Sequence, residues 1–155
     1  MITIRTFTHA DIKELWQLKF DTIRSVNLRH YTDEQVKAWA PSEYDEAAWA
    51  KRVTQIAPFI AEVDGIIAGF ADMQSDGYID HFFCSHDYQG QGVGTRLMKT
   101  ILTQAKQAQL ISLYSDVSIT AKPFFESFGF DVEKAQSIDV RGITLDNFKM
   151  RMLLD

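Results

Sequence analysis

Gly90, Gly92 and Gly94, three of the chain's eight glycines, stand at alternate positions in SHDYQGQGVGTRL (residues 85–97). They lie at the mouth of a run in which Leu97, Met98, Ile101, Leu102, Ala105 and Ala108 recur at helical spacing. The start of a helix exposes backbone N–H groups without partners and a partial positive charge. Glycine lets such backbone come close to a ligand and take positive φ where a turn demands it. Gln89, Gly90, Gln91, Gly92, Val93, Gly94 and Thr95 therefore read as an anion cradle, with Arg96 and Lys99 placed to add charge. The plainer reading is a flexible turn. Two nucleotide patterns fail: a P-loop needs Lys and Ser/Thr directly after its last glycine, and the dinucleotide fingerprint needs glycine where Thr95 stands. The lone cysteine, Cys84, has no partner for a disulfide or a zinc site, and His9, His30, His81 and His86 are scattered, so no metal is expected.

The rest of the chain must position this loop. Its 155 residues suit one domain, 1–155, with one core. A formal charge of −5 without a basic cluster argues against a nucleic-acid partner. No apolar run approaches the roughly 18 residues of a membrane span. Without a signal-peptide pattern at MITIRTFTHADIKEL, the expectation is a cytoplasmic protein. ITIRTF alternates like a half-buried strand, and Ile12, Leu15, Trp16, Lys19 and Phe20 share one helical face. Thr32 with Gln35 forms a capping-box pattern, Pro41 closes that helix, and a third helix is expected from about Asp45 to Gln55. PFIAEVDGIIAGFADMQ reads as two strands turning at Asp64-Gly65, and YIDHFFC as a third after Asp76-Gly77. LISLYSDVS, the helix KPFFESFG ended by Gly129, and the strands FDVEKAQSIDV and NFKMRMLL complete the order. The expected fold is α/β, a mixed and mostly antiparallel sheet of six to seven strands flanked by helices.

Two segments resemble a known family. Gln89, Gly92 and Gly94 match the pattern Gln/Arg-x-x-Gly-x-Gly/Ala, and AKPFFESFGF (residues 121–130) matches A-x-x-[FL]-Y-x-x-x-G-F. Both resemble the GNAT N-acetyltransferase superfamily, whose element order is also the one above. HYTDEQVKAWA, DVSITAKPFFESFGF and RGITLDNFKMR resemble its YafP-like branch. The resemblance covers essentially the whole chain. It implies acetyl-CoA as acyl donor, its pyrophosphate on the glycine loop, and direct attack by a primary amine of a small molecule or peptide in a ternary complex.

Further roles follow from the resemblance. The strand before the loop, here Phe82, Phe83 and Cys84, splays from its neighbour and binds the pantetheine arm; a backbone N–H near Cys84 polarises the thioester carbonyl. The Cys84 thiol reads as a small buried hydrophobe rather than a nucleophile. Asp80, nine residues before Gln89, takes the place of the family's glutamate base, and strand alternation puts it on one face with Phe82 and Cys84. A structural carboxylate pairing with an arginine is the competing reading, and His81 the weaker base. The tyrosine that commonly serves the leaving thiolate is replaced by Phe125. Ser118 and Tyr114 are the substitutes, and the replacement leaves open a CoA-binding sensor domain with little turnover. Arg24, His30, Tyr31 and Trp39 are candidates for the acceptor pocket, with Trp49 beside them. Asp72 and Asp76 favour a cationic amine or are simply turn acids. A homodimer through the last strands is open.

Overall fold

The structure, a computed structural model, describes residues 1–155. The first strand, β1 (Ile2–Thr6), leads into α1 (Ile12–Ser25) through a short turn locked by Asp11. The Asp11 carboxylate accepts from the Thr8 backbone at 2.8 Å and takes both guanidinium nitrogens of Arg5 at 2.8 Å. That pairing holds the carboxyl well below the usual range. The Thr32 capping box forms as the spacing predicts and starts α2 (Asp33–Trp39). Gln35 reaches on to the Thr144 carbonyl, fastening the helix to the last strand. Asp45 caps α3 (Glu46–Ile56) by accepting from Ala48 N at 3.0 Å.

Strands β2 (Phe59–Val63) and β3 (Ile66–Ala71) form the hairpin expected at Asp64-Gly65. The single strand expected from YIDHFFC is broken in two. Tyr78–Ile79 (β4) runs parallel to β6 (Ser112–Ser118), while Phe82–Cys84 (β5) runs antiparallel to β3. The cause is Asp72, which is fully buried. Its Oδ1 accepts the backbone N–H groups of Asp80 at 3.0 Å and His81 at 2.5 Å, and its other oxygen is held by the Gln74 amide. Donors that would extend a ladder are spent on a side chain, and the chain changes sheets. The remaining elements are α4 (Val93–Gln107), α5 (Lys122–Ser127), β7 (Asp131–Val140) and β8 (Ile143–Leu153). In place of one sheet of six to seven strands there are two sheets of four, β1-β2-β3-β5 and β4-β6-β8-β7.

Helix α4 bears the largest core. Leu97, Met98, Ile101 and Ala105 are fully buried against Ala61 and Ala68 of the first sheet and Leu113 and Met150 of the second. Each large apolar side chain so buried contributes about 1.5–3 kcal/mol. A second cluster joins Leu15 of α1, Trp49 and Val53 of α3, and Ile60 and Phe70 of the first sheet. The first cluster joins the two sheets and the second fastens α1 and α3 to the first sheet, while no ladder links β5 to β6, leaving an opening between them.

Candidate active site

The glycine loop enters α4 through Gly92, which sits at φ 88° as the N-cap residue. No protein acceptor takes the backbone N–H groups of Gly90, Gln91, Gly92, Val93, Gly94 or Thr95. They form a concentrated donor set, as the anion reading requires. The third glycine has another reason to be small. A Cβ on Gly94 would lie 3.1 Å from the Phe124 ring and 3.3 Å from Cys84 Sγ, so its absence lets α4 close on α5 and β5. Val93 buries its side chain and offers backbone only. Gln89 turns inward, its amide donating to the carbonyls of Cys84 at 2.9 Å and Ser85 at 3.2 Å; it braces the loop. Arg96 is also committed, donating to the Ile2 carbonyl at 3.0 Å.

A cavity of about 1050 Å³ fills the opening between the sheets. It runs from the loop past β5 to α1, α2 and α3. Ser85 N donates to Ala68 O at 2.7 Å and Asp72 N to His81 O at 3.1 Å, so residues 81, 83 and 85 face β3. By the alternation of an antiparallel ladder, Phe82 and Cys84 turn their backbone groups toward the opening. The Cys84 carbonyl is fixed by Thr22 Oγ1 at 3.1 Å as well as by Gln89. An extended arm bearing amides therefore meets a free strand edge, and a pyrophosphate at its end meets the loop. The donor set fits coenzyme A. Burial pushes the Cys84 thiol up to about 12, so it packs as a neutral group. Phe82, Phe124 and Phe125 form an aromatic wall, with Phe125 2% exposed.

At the other end the side chains come from several elements. Asp80 pairs with Arg52 of α3, and its Oδ2 lies 3.2 Å from His81 Nδ1. The expected alternation fails here: Asp80 turns to the α3 side with His81 rather than to the face of Phe82 and Cys84, because the Asp72 clamp breaks the strand between them. His81 is wedged among Trp49, Phe70 and Phe83. Burial, and then the charge of Lys19, lowers its pKa to about 3, so the ring is neutral. Lys19 Nζ stands 3.2 Å from His81 Nε2 and 5.1 Å from the centre of the Trp49 ring. Burial and the charges of Arg141 and Arg52 bring Lys19 down to about 8. Lys19, Arg52 and Arg141 escaped sequence reasoning as site residues, although a lysine on the apolar face of α1 was a signal.

Tyr31, Trp39, Ser118, Phe125 and the loop residues other than Gln91 line the cavity with Asp80. Tyr31 is structural as well, its hydroxyl donating to Asp146 O at 2.6 Å and accepting from Ile119 N at 3.0 Å. Four expected site residues lie elsewhere. Tyr114 donates to Asp76 at 2.6 Å and packs at a tilt against Tyr78, because its position on β6 faces the Asp76 turn. Arg24 donates to Ala40 O at 2.8 Å and covers Phe20, bracing the end of α2. His30 points at Thr120 Oγ1, 3.0 Å away on an exposed loop, and Gln91 is exposed at the loop's crest. Asp72, locked into the strand break, faces no amine.

Comparisons with known proteins agree with this geometry. The family of the acetyltransferase (GNAT) domain matches residues 27–154. YafP of Escherichia coli strain K12, an uncharacterized N-acetyltransferase, is 31% identical over 150 residues, spanning 97% of this chain and 95% of its own. A GCN5-related N-acetyltransferase crystal structure from Rhodopseudomonas palustris superposes with a TM-score of 0.93 at 28% identity, over 98% of this chain and 95% of that one. The PaiA N-acetyltransferase of Thermoplasma acidophilum, solved with coenzyme A, shares the fold with a TM-score of 0.75 at 16% identity, covering 99% of each chain. By its sequence and its fold alike, this chain belongs to the GNAT acetyltransferases, enzymes whose acyl donor is acetyl-CoA.

Proposed function

We propose that the protein is a cytoplasmic N-acetyltransferase that acetylates a primary amine of a small molecule or peptide, the acceptor entering from the α1–α3 side of the cavity. The observation supporting this most directly is the arrangement of the cavity. Unpartnered N–H groups of the loop and the open edge of β5 occupy one end, and a carboxylate, Asp80, lies toward the other. Acetyl-CoA, when bound, supplies an activated acetyl thioester open to direct attack by an amine.

The chain's own residues then have separable tasks. The backbone N–H of Cys84, its strand fixed by Thr22 and Gln89, is aimed at the opening and suits an oxygen that gains negative charge. Asp80 takes the proton that an alkylammonium of pKa about 10.4 must lose, directly or through water. Ser118 accepts from Ala121 N at 3.1 Å, which leaves its own proton free to donate toward a leaving thiolate. Phe125 supplies shape and no proton, so the thiolate leaves with less help than a tyrosine would give. Trp39 and Tyr31 wall the acceptor end.

The test is thiol release from acetyl-CoA against a panel of primary amines, alongside calorimetric titration with acetyl-CoA alone. Saturable binding and amine-dependent release are expected. Binding without release on any amine would instead make the chain a CoA-responsive sensor.

A further inference from the structure

Of the three cations that line the cavity, Arg52 is paired with Asp80, while Lys19 and Arg141 have no ion-pair partner. Lys19 forms no ion pair, and its one contact within hydrogen-bonding distance is the neutral ring of His81. Its ammonium is set against Trp49 and Phe83, 5.1 Å and 5.8 Å from their ring centres. Arg141 also lacks an ion pair, and its one hydrogen bond is to the Ala38 carbonyl at 2.7 Å. It projects over the cavity from the β7–β8 turn, where it holds φ 51° ahead of Gly142. The charges of Arg141 and Arg52 both bear on Lys19 across this space.

Five carboxylates also border the cavity, and none of them answers Lys19. Asp80 is engaged by Arg52, Asp45 caps α3, and Asp146 accepts from Ser137 at 2.6 Å. Asp116 accepts from Gln136 at 2.8 Å and Tyr78 at 3.1 Å, and Glu43 is exposed at the rim. An ammonium and a guanidinium facing one apolar-walled space are costly unless an anion joins them. A carboxylate suits the pair: the planar fork of arginine takes two oxygens at once and the lysine adds a point charge.

Resting on the reading that the protein acetylates amines, we infer that its acceptor carries a carboxylate beside the amine, as an amino acid does, and that Lys19 and Arg141 hold it. The same orientation leaves the amine toward Asp80 and the open edge of β5. The aromatic surfaces of Trp16, Trp39 and Trp49 then receive whatever side chain the acceptor bears.

Ligand binding tests the anchor without needing turnover. The CoA-saturated protein is titrated with the N-acetyl derivatives of an aromatic, an aliphatic and a basic amino acid, and with the carboxamide of each. At least one free acid is expected to bind tenfold or more tighter than its carboxamide. That ratio is expected to fall severalfold in Lys19→Met and in Arg141→Gln, each checked for a retained cooperative melting transition. Equal binding of acid and carboxamide, binding of neither, or a ratio untouched by both substitutions would overturn the anchor. Thiol release with the free amines, run in parallel, tests the acetyl-transfer reading separately. Turnover of amines with no preference for the acid would sink the anchor and leave that reading standing.

Discussion

The two ends of the cavity are built on opposite principles. The donor end consists of backbone, with a short continuous segment presenting N–H groups by the way it turns into α4. The acceptor end consists of side chains from α1, α3, the β4–β5 break and the β7–β8 turn, brought together only by the fold. Backbone recognition depends on chain shape and is indifferent to most side chains. Side-chain recognition can change its ligand by a single substitution. One fold can thus keep its donor and vary its acceptor.

That division is open to experiment. Asp80→Asn is expected to lower kcat by about 10²–10⁴-fold, the usual worth of a general base, with acetyl-CoA affinity unchanged. Steady-state kinetics beside calorimetry checks it, and an unchanged kcat would leave Asp80 as Arg52's partner and nothing more. Gly92→Val next forces a β-branched residue to φ 88° and turns the loop's donors away. Losing one or two charge-assisted hydrogen bonds corresponds to an acetyl-CoA KM raised about 10–100-fold. A KM that does not move would reduce the loop to a turn.

A third prediction concerns stability, because the acceptor end carries a cost that the donor end lacks. The folded Lys19 releases its proton near 8, whereas an unfolded lysine keeps it to about 10.5. Between those values the unfolded state binds more protons, so stability rises with pH; below 8 the full cost of the buried charge is present. Lys19→Met is therefore expected to stabilise the protein at pH 7 by about 1–3 kcal/mol and to flatten the alkaline limb of Tm against pH. His81 acts on the acid side. It remains neutral in the fold down to about 3 while an unfolded histidine protonates near 6.5, so stability falls as pH drops through that interval. The smallest effect is expected for Ser118→Ala, about a 2–10-fold loss in kcat for one hydrogen bond. No change would mean that the thiolate leaves unassisted.

The donor end was legible in the sequence because Gln89, Gly92, Gly94 and the first turn of α4 are contiguous, and caps and turns obey local rules. The Thr32 capping box and the Asp64-Gly65 hairpin were legible for the same reason. The acceptor end was legible only in part: Asp80, Tyr31 and Trp39 do line the cavity, but the cations beside them were not foreseen. Lys19 and His81 are 62 positions apart, and only the path of β5 brings them together. Arg24 and His30 drew attention as large polar residues, yet each serves a nearby backbone or loop. Tyr114 failed for a subtler reason: its place on β6 was read correctly, but Asp76 on the neighbouring turn claims its hydroxyl. The split into two sheets hung on the buried carboxylate of Asp72, a tertiary effect with no signature in strand periodicity.

The missing ladder between β5 and β6 has a consequence for how the protein holds together. Without a ladder across it, this seam is where the two sheets are least cooperative, and the amides of Phe82 and Cys84 should exchange hydrogen faster than those of their neighbours. A ligand lying along the edge would act as a missing strand, slowing that exchange and stabilising the fold by about 2.7 kcal/mol at a hundred times its Kd, so that the melting temperature climbs with its concentration. In a cell, the abundance of the donor would then set how long each molecule survives between encounters with proteases.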